Sequence, residues 1–569
     1  MTPRAFVLAV CLLCSPAWAQ DNAYYPKLEG AWETYPKNQA GLDAAKFRTW
    51  LDYTFARGKF SAEGHKTNAL IVLLGGKILH EEYGSNFRPP NDKQYLWSLS
   101  KSLANGVLGR AERKGILSRN TLVKGQLAGF DDPKTQNLNL THLMRMSSGI
   151  NFNEENSKSI ILSNSIYINF AWRGFENIVS YMTRQGFKYP AGKQFNYSSG
   201  DCNLSMALLR KQFDRPEVNQ GGDPQTTYNR FPWDELFHKI GMRSTTLEQD
   251  GSGNFIAGSF GWSTARDMAR FALLYHRGGR WDLNQDGKIS DDEKLFSDDW
   301  VKFSTTVAPA LKNDRVIGEE DGWRLNQESY GAFWWLNVPL PTRGNRVPYP
   351  SLPQSAYIAM GFRGQTLVVM PSKDMIVVRL GSDGLNTKID RQKFYELFMA
   401  SFSKDSRPVS RARKTTTGHN FSEAGGVTTS NIAELVLETI DGEVVLDDPF
   451  AMEPAKSLCS CLFVMKKGRK FCIADGPTFN LFRNLGVVSE PIIDYRAKSV
   501  TVGNRMVPLA DHVPLLSVLG PSTHTATAKH VNENLGCMIS KFTAPWRGPL
   551  GVLNIFSDEE LKPAVGYFK

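Results

Sequence analysis

Trp97-Ser98-Leu99-Ser100-Lys101-Ser102 decides how this chain is read. Ser98 and Lys101 stand three residues apart at the start of a predicted helix on which Leu99, Leu103, Val107 and Ala111 recur every four residues. Both side chains therefore share one helical face. A basic last turn at Arg113-Lys114 and then Gly115 close the helix. A serine hydroxyl is a weak nucleophile until a neighbour takes its proton, and a lysine one turn on can do so when desolvation or another cation lowers its pKa. The helix N-terminus adds free N–H groups that can face a developing oxyanion. Alone, Ser-x-x-Lys is a weak signal, since composition supplies roughly two in a chain of this length. Ser98 or Ser100 could equally be a helix cap.

Context changes that balance. Phe195-Asn196-Tyr197-Ser198-Ser199-Gly200 follows Pro190-Ala191-Gly192, and later Gly361-Phe362-Arg363-Gly364-Gln365 leads into a β-hairpin pattern. With the Ser98 segment, this order and spacing resemble the serine β-lactamase and penicillin-binding protein superfamily, most of all its class C β-lactamase, esterase and 6-aminohexanoate-oligomer hydrolase branch. Leu143–Gly149, Thr264–Arg270 and Tyr330–Trp335 add to the resemblance, which covers roughly residues 45–402. It implies an α+β fold: a β-lactamase/transpeptidase-like antiparallel sheet flanked by helices, with a helical lobe and the active site between them. It further implies Ser98 as the acylated nucleophile, Lys101 as its proton acceptor and Tyr197 as the relay to the leaving group. Backbone N–H groups of Ser98 and Ala359 would form the oxyanion site, and Ser199, Gly361 and Gly364 would line the substrate site. A phenol of pKa near 10 works near neutrality only if Lys101 stabilises its anion or the two share a proton.

Two departures bear on substrate. Tyr197-Ser198-Ser199 stands where many members have Tyr-x-Asn, and Ala356-Tyr357-Ile358 stands where β-lactamases carry Lys-Thr-Gly. Without that cationic anchor, the expected substrate is a linear amide, a D-amino-acid peptide or an ester. A β-lactamase or D-alanyl-D-alanine carboxypeptidase acting on cell-wall peptides is the alternative, and an inactive peptidoglycan-binding module of the same fold is a third. Ser98, Lys101 and Tyr197 together argue against the third, because binding alone would not require all of them. No Gly-x-Ser-x-Gly elbow or His-Glu-x-x-His motif is present, and the nine histidines show no partner spacing.

A second motif lies apart from these. Asp282-Leu283-Asn284-Gln285-Asp286-Gly287-Lys288-Ile289-Ser290-Asp291-Asp292-Glu293 matches the calcium-loop pattern at every defined position. Asp282, Asn284 and Asp286 would offer side-chain oxygens, Lys288 its carbonyl, Ser290 a water-mediated contact and Glu293 two oxygens. The alternative is an acidic surface turn without metal. Gly278-Gly279 breaks the preceding helix, which suits a loop set into a helix-to-helix connection. A structural Ca²⁺ is therefore expected, and no cofactor for catalysis.

Residues 1–19 read as a signal peptide, with Arg4, an apolar run from Ala5 to Cys14, and an Ala17-x-Ala19 cleavage site. A periplasmic or secreted protein follows, with no transmembrane segment and no nucleic-acid partner. The net charge of +10 fits association with anionic cell-envelope polymers or simply a solvated basic surface. At 569 residues, 41% hydrophobic and 22% charged, the chain is globular and long enough for more than one domain. An N-terminal extension over 20–44 leads into the 45–402 domain. Residues 403–430, basic and rich in Ser, Thr and Gly, read as a linker to a mostly β domain over 431–569. Export makes disulfides the default among Cys459, Cys461, Cys472 and Cys537, with three pairings open and a zinc site as rival, while Cys202 is expected as a buried free thiol.

Overall fold

The computed structural model describes residues 23–85, 87, 92–154, 164, 177–313, 329–384, 387–402, 455–456, 458–467, 472, 491–503 and 525–542. Residues 1–19, read above as a signal peptide, and 403–430, read as a linker, lie outside them.

Eight apolar-rich residues form the strand β1, Thr67–Leu74, and a Gly75-Gly76 turn returns the chain as β2, Lys77–Tyr83. Both glycines have positive φ, which the tight turn requires. Gln94–Tyr95 (β3), Thr246–Leu247 (β4) and Gly261–Ser263 (β5) make a small separate sheet in the order β3-β5-β4. Ser329–Tyr330 (β6), Trp335–Leu336 (β7), Tyr357–Gly361 (β8), Gln365–Met370 (β9) and Met375–Gly381 (β10) complete the main sheet. Its seven strands run β2-β1-β10-β9-β8-β7-β6, antiparallel throughout. The β1–β2 and β9–β10 hairpins are thus one sheet, joined where β1 pairs with β10, Leu70 opposite Arg379 and Val72 opposite Val377. Both strands are buried on both faces, hence their continuous apolar sequence.

One face carries α1, Ala44–Thr54, whose Asp43 cap accepts the N–H groups of Ala45 and Lys46, both at 3.1 Å. Trp50 of α1 meets Phe398 of the C-terminal helix Arg391–Ala400, with ring centroids 4.7 Å apart. The helical lobe contributes α2, Ser100–Arg113, and α3, Ser199–Gln212, while α4, Ala265–His276, lies against β1, β9 and β10. Thr264 caps α4 through the Asp267 N–H at 3.2 Å.

Beyond the expected linker, Ile492–Asp494 (β11), Ser499–Gly503 (β12), Thr525–Asn532 (β13) and Gly536–Phe542 (β14) form a four-stranded antiparallel sheet in sequence order. Cys459 pairs with Cys537 and Cys461 with Cys472, so the four cysteines form disulfides rather than a zinc site. Cys202 is a buried free thiol. This sheet docks on the small β3-β5-β4 sheet: Lys93 Nζ reaches the Glu533 carbonyl at 3.2 Å, and Leu247 N–H donates to the Asn534 carbonyl at 3.0 Å. No described helix is long and apolar enough to cross a membrane.

Candidate active site

The chain enters α2 through a tight 3₁₀ turn, Trp97–Leu99, and Ser98 sits on it. Trp97 has φ of 52°, a region that a bulky side chain rarely adopts, so the turn is strained just before Ser98. Its surroundings hold it there. The Trp97 ring lies 4.1 Å from that of Tyr95 and meets Phe362 edge-on at 5.1 Å, while Leu96 N–H donates to the Gly261 carbonyl at 2.9 Å. From Lys93 to Lys101 every residue is buried except Ser98, which is half-buried. Neither Ser98 nor Ser100 caps the helix. Ser100 Oγ instead accepts the Gly261 N–H at 2.9 Å and donates to the Ser259 carbonyl at 3.3 Å.

One turn on, Lys101 Nζ is 2.9 Å from Ser98 Oγ, 2.9 Å from Ser199 Oγ and 2.8 Å from the Gly258 carbonyl. It also lies over the face of the Tyr197 ring, 4.7 Å from the centroid. Burial holds the Lys101 pKa below its usual value, and the nearby charges of Glu154 and Cys202 oppose that shift. Tyr197 is itself buried, stacked on Trp335 at 5.1 Å and edge-on to Tyr330 at 5.7 Å. Ser198 caps α3 through the Asp201 N–H at 3.0 Å, which fixes the Tyr197-Ser198-Ser199 turn at a helix start facing Lys101.

The structure thus gathers Ser98, Lys101, Tyr197 and Ser199 at one point. Ser199, expected against substrate, is buried with its hydroxyl between Lys101 and Glu154. Gly361 ends β8 against the turn before Ser98, where a Cβ would overlap the Leu96 carbonyl oxygen. Ala359 lies two residues earlier on β8, opposite Leu367. Gly364, at φ of 84°, packs on the buried Arg379–Asp383 ion pair, where a Cβ would overlap both side chains. No residue of β8 is cationic.

Sequence reasoning missed three contributors. Glu154 accepts from Ser199 N–H at 2.7 Å and from Ser199 Oγ at 2.6 Å, yet it sits in a polar run, Asn153-Glu154-Glu155-Asn156, with no motif to mark it. Gly258 acts only through its carbonyl, which no residue identity announces. Asp201 is buried, accepts from Ser148 Oγ at 2.8 Å, and is pushed by burial up to about 7.

The calcium-type loop is far in sequence from this centre. Its ends are tied by an antiparallel backbone β-bridge between Arg280 and Lys294, and the last position reaches back to the second and third: Glu293 Oε1 accepts the N–H groups of Leu283 at 2.7 Å and Asn284 at 3.2 Å. Asp282 accepts those of Asp286 at 3.2 Å and Gly287 at 3.1 Å. Among the described residues no three His, Cys, Asp or Glu side chains are grouped to hold a metal ion.

A seven-stranded antiparallel sheet, a helical lobe and a Ser-x-x-Lys turn between them define a class of hydrolase folds. The family model described as Beta-lactamase matches residues 59–397, and the chain belongs to that family. No curated protein matches it. Among solved structures it is similar to a protein described as a 6-aminohexanoate-dimer hydrolase from Bacillus anthracis, at 18% identity and a TM-score of 0.46, covering 67% of this chain and 89% of the other. A penicillin-binding protein homologue from Caulobacter crescentus gives 13% identity, a TM-score of 0.45, and 65% and 98% coverage. A family VIII carboxylesterase gives 12%, 0.44, and 65% and 98%.

Proposed function

We propose that the protein is a serine hydrolase that forms an acyl-enzyme on Ser98 and acts on a linear amide, a D-amino-acid peptide or an ester. The observation that carries this reading is the 2.9 Å approach of a buried Lys101 Nζ to the half-buried Ser98 hydroxyl. In this scheme Lys101, neutral, takes the Ser98 proton while Oγ bonds the acyl carbon. Tyr197 passes its proton to the leaving group and takes the Ser98 proton back from the Lys101 ammonium, which returns the lysine to its neutral form. Backbone N–H groups of the Ser98 turn and of β8, Ala359 among them, receive the oxyanion. Water then releases the acyl group by the reverse path. Side-by-side labelling with a fluorophosphonate and a penicillin, followed by a small ester and amide panel, tests the scheme. Loss of adduct from the Ser98 peptide would sink it.

One observation favours the second reading, a β-lactamase or D-alanyl-D-alanine carboxypeptidase. Although β8 carries no cation, Arg391 donates to the Gly361 carbonyl at 3.3 Å and Lys388 lies over the Phe362 ring at 5.6 Å, so positive charge stands near the strand end where a substrate carboxylate would lie. Nitrocefin turnover separates the readings.

The Asp282–Glu293 loop is read as a structural Ca²⁺ site. Glu293 already reaches the start of the loop through the Leu283 N–H at 2.7 Å, and Asp282, Asn284, Asp286, the Lys288 carbonyl, a water on Ser290 and Glu293 would supply the oxygens once the side chains regroup about the ion.

A further inference from the structure

Ser199 has a single hydroxyl proton, and the structure directs it to Glu154. The Ser199 Oγ donates to Glu154 Oε1 at 2.6 Å, and the Ser199 backbone N–H donates to Oε2 at 2.7 Å. A carboxylate only accepts, so this two-point grip fixes the direction of both bonds. The Ser199 oxygen is thereby left as an acceptor facing Lys101 Nζ at 2.9 Å. On the other side of Nζ, the Gly258 carbonyl at 2.8 Å can only accept, and the Asn203 side chain fixes it by taking the Gly258 N–H at 2.8 Å. A neutral amine has two N–H bonds and one lone pair. With both N–H bonds committed to Ser199 and Gly258, the lone pair faces the remaining neighbour, Ser98 Oγ.

We propose that Glu154 is a positioning residue which, by holding the Ser199 hydroxyl as an acceptor toward Lys101, aims the lone pair of the neutral lysine at the Ser98 hydroxyl. This inference rests on the acyl-enzyme reading and deepens it. In the acylation step the Ser98 proton moves to the Lys101 lone pair as the Ser98 Oγ pair forms the bond to the acyl carbon. The resulting ammonium has three N–H bonds, two still on Ser199 and Gly258 and the third facing the reacting centre. If the Ser199 hydroxyl were free to turn, it could donate to Lys101 instead, and the lone pair would point at Ser199 rather than Ser98.

Glu154 has a second effect through its charge. The charged and titratable groups around Lys101 are the Tyr197 phenol beneath it, Glu154 beyond Ser199, and the Cys202 thiol on α3; Asp201 and Tyr330 in turn face Glu154. Burial favours the neutral amine and Glu154 opposes it. Removing that carboxylate charge therefore lowers the pH at which Lys101 becomes a base, even as it loosens the aim of its lone pair.

The two effects can be read separately from the rate at which a fluorophosphonate labels Ser98, followed against pH. In Glu154→Gln an amide donor must face one of the two Ser199 groups, so the plateau rate falls about ten- to a hundred-fold while the acid limb moves down by roughly one pH unit. Glu154→Asp keeps the charge and leaves the limb in place. Ser199→Ala lowers the plateau by a similar factor with little movement of the limb. Adding Glu154→Gln to Ser199→Ala then shifts the limb without a further loss of plateau. Circular dichroism and melting curves establish that each variant is folded, and Ser199→Ala carries the test if Glu154→Gln is not. A folded Glu154→Gln with the wild-type plateau and limb, or plateau losses that multiply in the double variant, would overturn the inference alone. Failure of the wild-type protein to be labelled at Ser98 would overturn the acyl-enzyme reading and this inference with it.

Discussion

Lys456, from the chain beyond the catalytic domain, meets Glu248 at 3.2 Å, and both side chains are wholly removed from solvent. Glu248 also takes the Ser460 hydroxyl at 2.7 Å and the Cys537 N–H at 3.3 Å, so one carboxylate receives the C-terminal segment at three points. Breaking a buried pair leaves an uncompensated charge. Lys456→Ala should therefore lower unfolding stability by about 3–5 kcal/mol, and replacing both residues with Met and Leu should cost far less. Denaturant titration of the single and double variants measures the difference. Equal losses would mean that the pair adds nothing beyond packing.

Ser98→Ala should abolish turnover and leave the melting temperature nearly unchanged, because the hydroxyl caps no helix and Ser98 is half-buried. Lys101→Ala and Tyr197→Phe should each cost at least ~100-fold in kcat, the scale of a lost proton-transfer group. In the proposed scheme Lys101 and Tyr197 pass one proton between them, so the double variant should lose far less than the product. Full activity in Ser98→Ala would remove the nucleophile assignment; multiplicative losses would remove the shared proton.

Asp201 titrates from 3.8 in the unfolded chain to about 7 when folded, raised by burial. The folded form then holds its proton more tightly, so this group's contribution is full below 3.8 and is lost as pH rises through about 7. Asp201→Asn imitates the protonated acid and should be more stable than the wild type at pH above 7, with the gap closing toward 3.8 and a ceiling of about 4 kcal/mol. Parallel stability curves for the two proteins would contradict the assignment.

Calcium should raise the melting temperature more than magnesium does, whose octahedral demand suits this loop poorly. A weak site of ~10⁻⁴ M would stabilise the folded form by about 1.4 kcal/mol at ~1 mM ion. Glu293→Gln should remove most of that gain and leave Ser98 labelling unchanged below the melting range. No heat of calcium binding to chelator-treated protein would mark the loop as an acidic turn.

Gly361→Ala should impair both labelling and stability, since its Cβ would meet the Leu96 carbonyl and push β8 from the turn that presents Ser98. A labelling rate within about two-fold of wild type would show that the strand has room to yield.

Much of this site was legible because its chemistry depends on residue identity at short spacing. Ser98 and Lys101 lie one turn apart, and the β1–β2 and β9–β10 hairpins announce themselves by apolar runs around turn residues. What escaped depends on contacts made across long stretches of chain. Glu154 reaches Ser199 over 45 residues, and Gly258 reaches Lys101 over 157 through a backbone atom that every residue possesses. Ser199 shows the intermediate case: its position was marked, but its hydroxyl direction is set by a partner outside the motif. The cysteine pairing likewise stayed open until the fold brought Cys459 beside Cys537 and Cys461 beside Cys472.

The pairing of β1 with β10 also sets a schedule. Leu74 finds its partner Met375 only after about 300 further residues have been made, and at the ribosome's pace of 5–20 residues per second that is roughly 15–60 s. Throughout that interval Leu70-Ile71-Val72-Leu73, which the finished sheet buries completely, has only β2 beside it. A chain cut short before β10 would leave that apolar strand with an unpaired edge, so a truncated product should aggregate rather than persist as a half-built fold.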